Sequence, residues 1–106
     1  MGDHHSLLVD PGADLTVSLD SPGARILTAH LDGQPLVIGS GNRVSFTTGS
    51  GSQSLRFALD AGAAGGPVAV NACYCNTGAP IFSSSIATRE FTIMLAAPGS
   101  ARSATR

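Results

Sequence analysis

Lysine and tryptophan are absent from this chain, and charge of either sign is scarce. Charged residues make up 12% of its 106 residues, where an ordinary soluble domain carries about 25%. The six basic residues, all arginine, stand against seven acidic ones for a formal net charge of -1. The basic surface that neutralises a phosphate backbone is therefore missing, and no nucleic acid partner is expected. No stretch approaches the roughly 18 successive apolar residues of a spanning helix, so no membrane span is expected either. The start lacks the basic segment and apolar run of a secretion signal. Two cysteines, Cys73 and Cys75, cannot build a disulfide framework. With one tyrosine and no tryptophan, the aromatic platforms that stack on sugars are largely excluded.

What is present is apolar and small. Hydrophobic residues reach 42% and mean hydropathy is +0.21, so the exterior must be covered largely by Ser, Thr, Gly and Ala. Such a surface loses little when it is desolvated against another protein, which points to a subunit of something larger. The length fits one domain with a single modest core.

The chain is organised around Pro67-Val-Ala-Val-Asn-Ala-Cys-Tyr-Cys75, an uncharged run that leaves a glycine- and alanine-rich loop and ends at Asn76-Thr77-Gly78. Its β-branched, small and aromatic residues, bounded by turn signals, predict a central strand covered on both faces. Upstream, residues 14–20 alternate strictly, placing Leu15, Val17 and Leu19 on one face. In residues 25–31, Leu27, Ala29 and Leu31 are expected inside, with Ile26, Thr28 and His30 outside. Pro35, Leu36, Val37 and Ile38 read as a short edge strand, because proline cannot donate to a ladder. Residues 43–48 and 53–60 also alternate, and the segment 49–52 between them, Gly-Ser-Gly-Ser, predicts that they pair as a hairpin. Residues 79–87 carry Pro80 and Ser83, Ser84 and Ser85, an expected edge, and 88–95 alternate through Phe91, Ile93 and Leu95.

Strand follows strand at roughly 8–12-residue spacing with no segment of helical period. The expected fold is all-β: a two-layer antiparallel β-sandwich of about seven to nine strands, Ig-like or jelly-roll-like, with a small barrel as the alternative. Residues 1–6 are expected as a mobile arm, 7–95 as the sandwich and 96–106 as a mobile tail.

Few residues offer chemistry. If Met1 is removed, the amine of Gly2, the amides of Asp3 and His4 and the His4 imidazole make a nitrogen set suited to square-planar Cu(II) or Ni(II); the bland alternative is an adventitious terminus. Cys73 and Cys75 fall on one face of a strand, roughly 6.5–7 Å apart, too far for a disulfide unless the strand bends, so free thiols are expected. No histidine follows His30, which removes a copper electron-transfer site on ligand count. A triad would have only His30 as a base outside the N-terminal segment, and Glu90 is the sole glutamate, which disfavours paired-carboxylate chemistry. Neither glycine-rich loop, 39–41 or 49–51, ends in the Lys-Ser/Thr of a phosphate cradle.

The sequence therefore predicts a non-enzymatic structural or assembly subunit without a cofactor, acting through self-association or docking onto a larger particle, with itself or another protein of an assembly as partner. Contact is expected through Pro35, Leu36, Val37 and Ile38 and through Ile81, Phe82, Ser83, Ser84 and Ser85, because unpaired ladder groups invite a partner. The alternative is a monomeric module that binds a glycan or protein with the loops 39–42, 49–52 and 61–66.

Overall fold

The computed structural model describes residues 3–63 and 65–96, with the Asp3 side chain excepted. Nine strands are present among them: β1 (Asp3–Leu8), β2 (Asp14–Leu19), β3 (Arg25–Leu31), β4 (Gln34–Pro35), β5 (Arg43–Thr47), β6 (Gln53–Asp60), β7 (Val68–Tyr74), β8 (Pro80–Ile86) and β9 (Glu90–Ala96). They form a five-stranded sheet in the order β1-β9-β6-β3-β4 and a four-stranded sheet in the order β5-β2-β7-β8. The sheets pack face to face as a sandwich with no closed barrel.

Alternation sets the core. Leu15 and Val17 of β2, Leu55, Phe57 and Leu59 of β6, Val68, Val70 and Ala72 of β7, and Phe91, Ile93 and Leu95 of β9 are all buried. The Phe57 and Phe91 rings stack inside it, 4.9 Å apart and 8° from parallel. Thr48 is the one buried polar residue among those described. Its hydroxyl donates to the Asp10 carbonyl at 2.7 Å and accepts from the Ala13 amide at 2.9 Å, which ties the chain after β5 to the turn before β2.

Several expectations need correction. Residues 43–48 and 53–60 do not pair with each other: β5 pairs with β2, while β6 lies between β3 and β9 in the opposite sheet. Both alternate toward the same interior, but from opposite sides of it, and residues 49–52 cross between the layers. The expected N-terminal arm is largely β1, whose Asp3 to Leu8 pair in parallel with Phe91 to Ala96. The other strand pairings among the described residues are antiparallel. His5 anchors β1: its half-buried ring meets Phe82 of β8 edge-on at 5.2 Å, closing one side of the sandwich. The expected tail lies outside the described residues except for Ala96, which ends β9. The 67–75 run is an interior strand, β7, but only one of its faces is core; Ala69, Asn71 and Cys73 remain half-buried on the outer face.

In β3 the register shifts between Ile26 and Thr28, so that Leu27 is a bulge residue. Ile26 is consequently buried and Leu27 is 51% exposed, the reverse of the expected phase. Beyond the bulge, Ala29 is buried and Thr28 exposed, as expected. Asn42, at φ 56°, brackets the entry to this strand. Its side chain accepts from the Ile26 amide at 3.0 Å and donates to the Ala24 carbonyl at 3.1 Å.

Candidate functional site

The sequence-predicted contact residues separate into a short edge and a long one. Gln34 and Pro35 alone form β4, joined to β3 through a hairpin turn at Asp32 (φ 51°) and Gly33 (φ 82°). Positive φ at both positions is the requirement of the tight turn that matches strand twist. Past Pro35 the Leu36 amide still donates to the Ala29 carbonyl at 2.8 Å; Leu36 and Ile38 then pack against the core, while Val37 is 88% exposed. The expected four-residue edge strand is thus corrected to two residues, too short to template a partner strand.

The long edge is β8. A register shift separates the Ala72–Phe82 pair from the Cys73–Pro80 pair, which makes Ile81 the extra residue and closes that end of the edge with a bulge and a proline. Residues 82–86 beyond it pair regularly with β7. The Ala69 carbonyl accepts from the Asp20 amide at 2.8 Å and its amide donates to the Ser21 hydroxyl at 2.9 Å, so Ala69 and Asn71 direct their backbone groups away from β8. Val70 therefore faces Ser84 as a hydrogen-bonded pair, and the amides and carbonyls of Ser83 and Ser85 point outward from the sheet. No charged residue lies on β8. Asn71 and Ala69, the partners of Ser83 and Ser85, are uncharged as well.

Of the proposed metal ligands, Gly2 lies outside the described residues. Asp3 and His4 pair with Phe91 and Thr92, so a chelate around Gly2, Asp3 and His4 requires this end of β1 to leave β9. Among the described residues no three His, Cys, Asp or Glu side chains gather as a metal site. Cys73 and Cys75 are free thiols; the Cys75 sulfur lies 2.8 Å from the Thr16 hydroxyl oxygen, which itself is 3.0 Å from that of Ser45. Within the glycine-rich loops, Asn42 is engaged with β3, and a Cβ on Gly62 would lie 2.6 Å from the Gly23 carbonyl oxygen.

Sequence reasoning missed the most functionalised surface, the outer face of the five-stranded sheet. Register places His4 opposite Thr92, Thr92 opposite Arg56 and Arg56 opposite His30. These residues form one row across four strands. Thr28 and Glu90 lie in the adjoining row, each opposite Ala58. Two shallow hollows of about 310 and 360 Å³ flank Arg56, the first reached by His30 and Thr28, the second by His4 and Thr92, and Glu90 borders both. No spacing in the sequence announces this row, because it depends on strand order and on the Leu27 bulge. Without the bulge, the alternation that buries Ile26 would turn His30 inward.

No protein-family model matches this chain, and neither do the characterised proteins nor the solved structures compared with it.

Proposed function

We propose that this protein is a non-enzymatic assembly subunit that self-associates by antiparallel pairing of β8 with β8 of a second copy. The observation that carries the reading is the uncharged run 82–86, unpaired on its outer side among the described residues, in which Ser83 and Ser85 turn their backbone groups outward. An unprotected edge of this kind templates another strand.

The run Phe82-Ser83-Ser84-Ser85-Ile86 favours a second copy over an unrelated partner because it reads nearly alike in both directions. Antiparallel pairing about a two-fold axis at Ser84 sets Ser83 against Ser85 of the partner subunit, twice, with backbone bonds exchanged at each pair. Half-buried Phe82 then stands opposite the partner subunit's Ile86 in the ladder, on the inner face. Nothing charged opposes this register.

The test is solution mass by light scattering across a dilution series. The wild type is expected at twice the 10.6 kDa chain mass. Ser83→Lys with Ser85→Lys places lysine against lysine at both pairs and is expected to give monomer, since like charges directly opposite are destabilising. Ser83→Lys with Ser85→Glu places opposite charges at the same two pairs and is expected to restore the dimer. A wild-type monomer at every concentration overturns the proposal, as does equal association of the two double variants.

A further inference from the structure

The row on the outer face of the five-stranded sheet has a chemistry that the assembly reading does not use. Among the described residues the one ion pair is Arg25 with Asp60, so the exposed Arg56 guanidinium is left without a carboxylate partner. His30 and Thr92 stand directly opposite it on the neighbouring strands, with side-chain bases about 4.5–5.5 Å away. His4 stands one strand further out. His4 and His30 are separated by three strand spacings, about 14 Å, so they cannot share a metal ion. They can line the two ends of an extended ligand centred on Arg56.

Charge balance decides the class of ligand. Arg56 supplies one cation in a planar fork that matches a carboxylate or phosphate. Glu90 borders both hollows and sets one anion beside it. A dianion, such as a phosphate monoester, would bring its second charge against Glu90. A monoanion that also carries hydroxyl groups uses both residues, with its carboxylate on the guanidinium and its hydroxyl hydrogens donated to Glu90. Thr28, Thr92 and the two imidazoles supply further donors and acceptors for hydroxyl groups. Each hollow has room for a group of sugar size, and the two meet at Arg56.

We infer that this face binds a carboxylate-bearing sugar of the uronic acid class, with Arg56 on the carboxylate and Glu90 accepting from the neighbouring hydroxyls. The site lies on the sheet that does not contain β8, so it is independent of edge pairing.

The experiment is titration of the isotope-labelled full chain, followed by amide chemical shifts, with methyl glucuronide, methyl glucoside and glucose 6-phosphate as probes. Methyl glucuronide is expected to shift the amides of His30, Arg56 and Thr92 with saturation at millimolar concentration. Its affinity should exceed that of the glucoside about tenfold, the worth of one charge-assisted pair. Glucose 6-phosphate should bind more weakly than the glucuronide. The Arg56 and Glu90 side chains make no ion pair among the described residues, so both can be replaced without loss of the fold. Arg56→Gln should reduce glucuronide binding to the level of the glucoside. Glu90→Gln should strengthen glucose 6-phosphate binding several-fold. Equal binding of glucuronide and glucoside, no response to Arg56→Gln, or tighter wild-type binding of the phosphate would each overturn the inference.

Discussion

Asn42 brackets the entry to β3, next to the register shift between Ile26 and Thr28. Its side chain makes two part-buried hydrogen bonds, one with the Ile26 amide and one with the Ala24 carbonyl. Each bond contributes about 1 kcal/mol net, and leaving the amide unpaired adds to the loss. Asn42→Gly removes both bonds while leaving the backbone free to hold φ 56°, so a loss of about 2 kcal/mol is expected. Asn42→Ala removes the same bonds and places a less tolerant residue in the left-handed region, which costs about 1 kcal/mol more. For a domain of this size the two variants should melt roughly 10 and 15 °C below wild type. Urea unfolding followed by far-ultraviolet dichroism gives the free energies, and cross-strand contacts between His30 and Arg56 in the folded variants report the register. Two outcomes refute the reasoning: both variants within 0.5 kcal/mol of wild type, on the order of an ordinary surface substitution, or alanine tolerated better than glycine.

Three further outcomes follow from other parts of the fold. Gly62→Ala should lower stability by about 2–4 kcal/mol in a thermal melt, because φ there is 80° and the added Cβ would meet the Gly23 carbonyl at 2.6 Å. Thr48→Val keeps the shape but strands the Ala13 amide and the Asp10 carbonyl; a loss of about 2–3 kcal/mol in urea is expected, larger than for a valine placed at exposed Thr47. The Gly62 amide, and then Arg25, hold the Asp60 carboxyl below the usual aspartate range. A carboxyl lowered by folding stabilises above its unfolded pKa, and that contribution fades as pH falls through the folded value. Asp60→Asn should therefore melt below wild type at pH 7, with the difference narrowing below about pH 4, where melting curves at stepped pH will show it.

The open β8 edge and the outer row were legible to different degrees. Pro80 and the serine triplet marked residues 79–87 as an edge from composition, and the structure keeps β8 at the edge of its sheet. The short Pro35 edge was readable for the same reason, although its length was not, since Leu36 and Ile38 turn to the core. His4 was legible only as part of a terminus, since its pairing depends on β9, some 90 residues later in the chain. Arg56 read as the outer member of an alternating strand, and nothing nearby in sequence linked it to His30.

The sequence by itself determined most of the strands and the buried face of β2, β5, β6 and β9, because a period of two in apolar residues is a local property of an extended chain. It also determined the weakly charged exterior and the all-β class. Only the tertiary structure decided which strands are neighbours. Arg43 to Thr47 and Gln53 to Asp60 carry the same alternation and sit in opposite sheets, because burying a face does not specify the layer from which it is buried. Only the tertiary structure placed the Leu27 bulge, where two residues of β3 face one of β6 and the phase changes. The row of His4, Thr92, Arg56 and His30 depends on both decisions, since side chains on separate strands become neighbours through strand order and register.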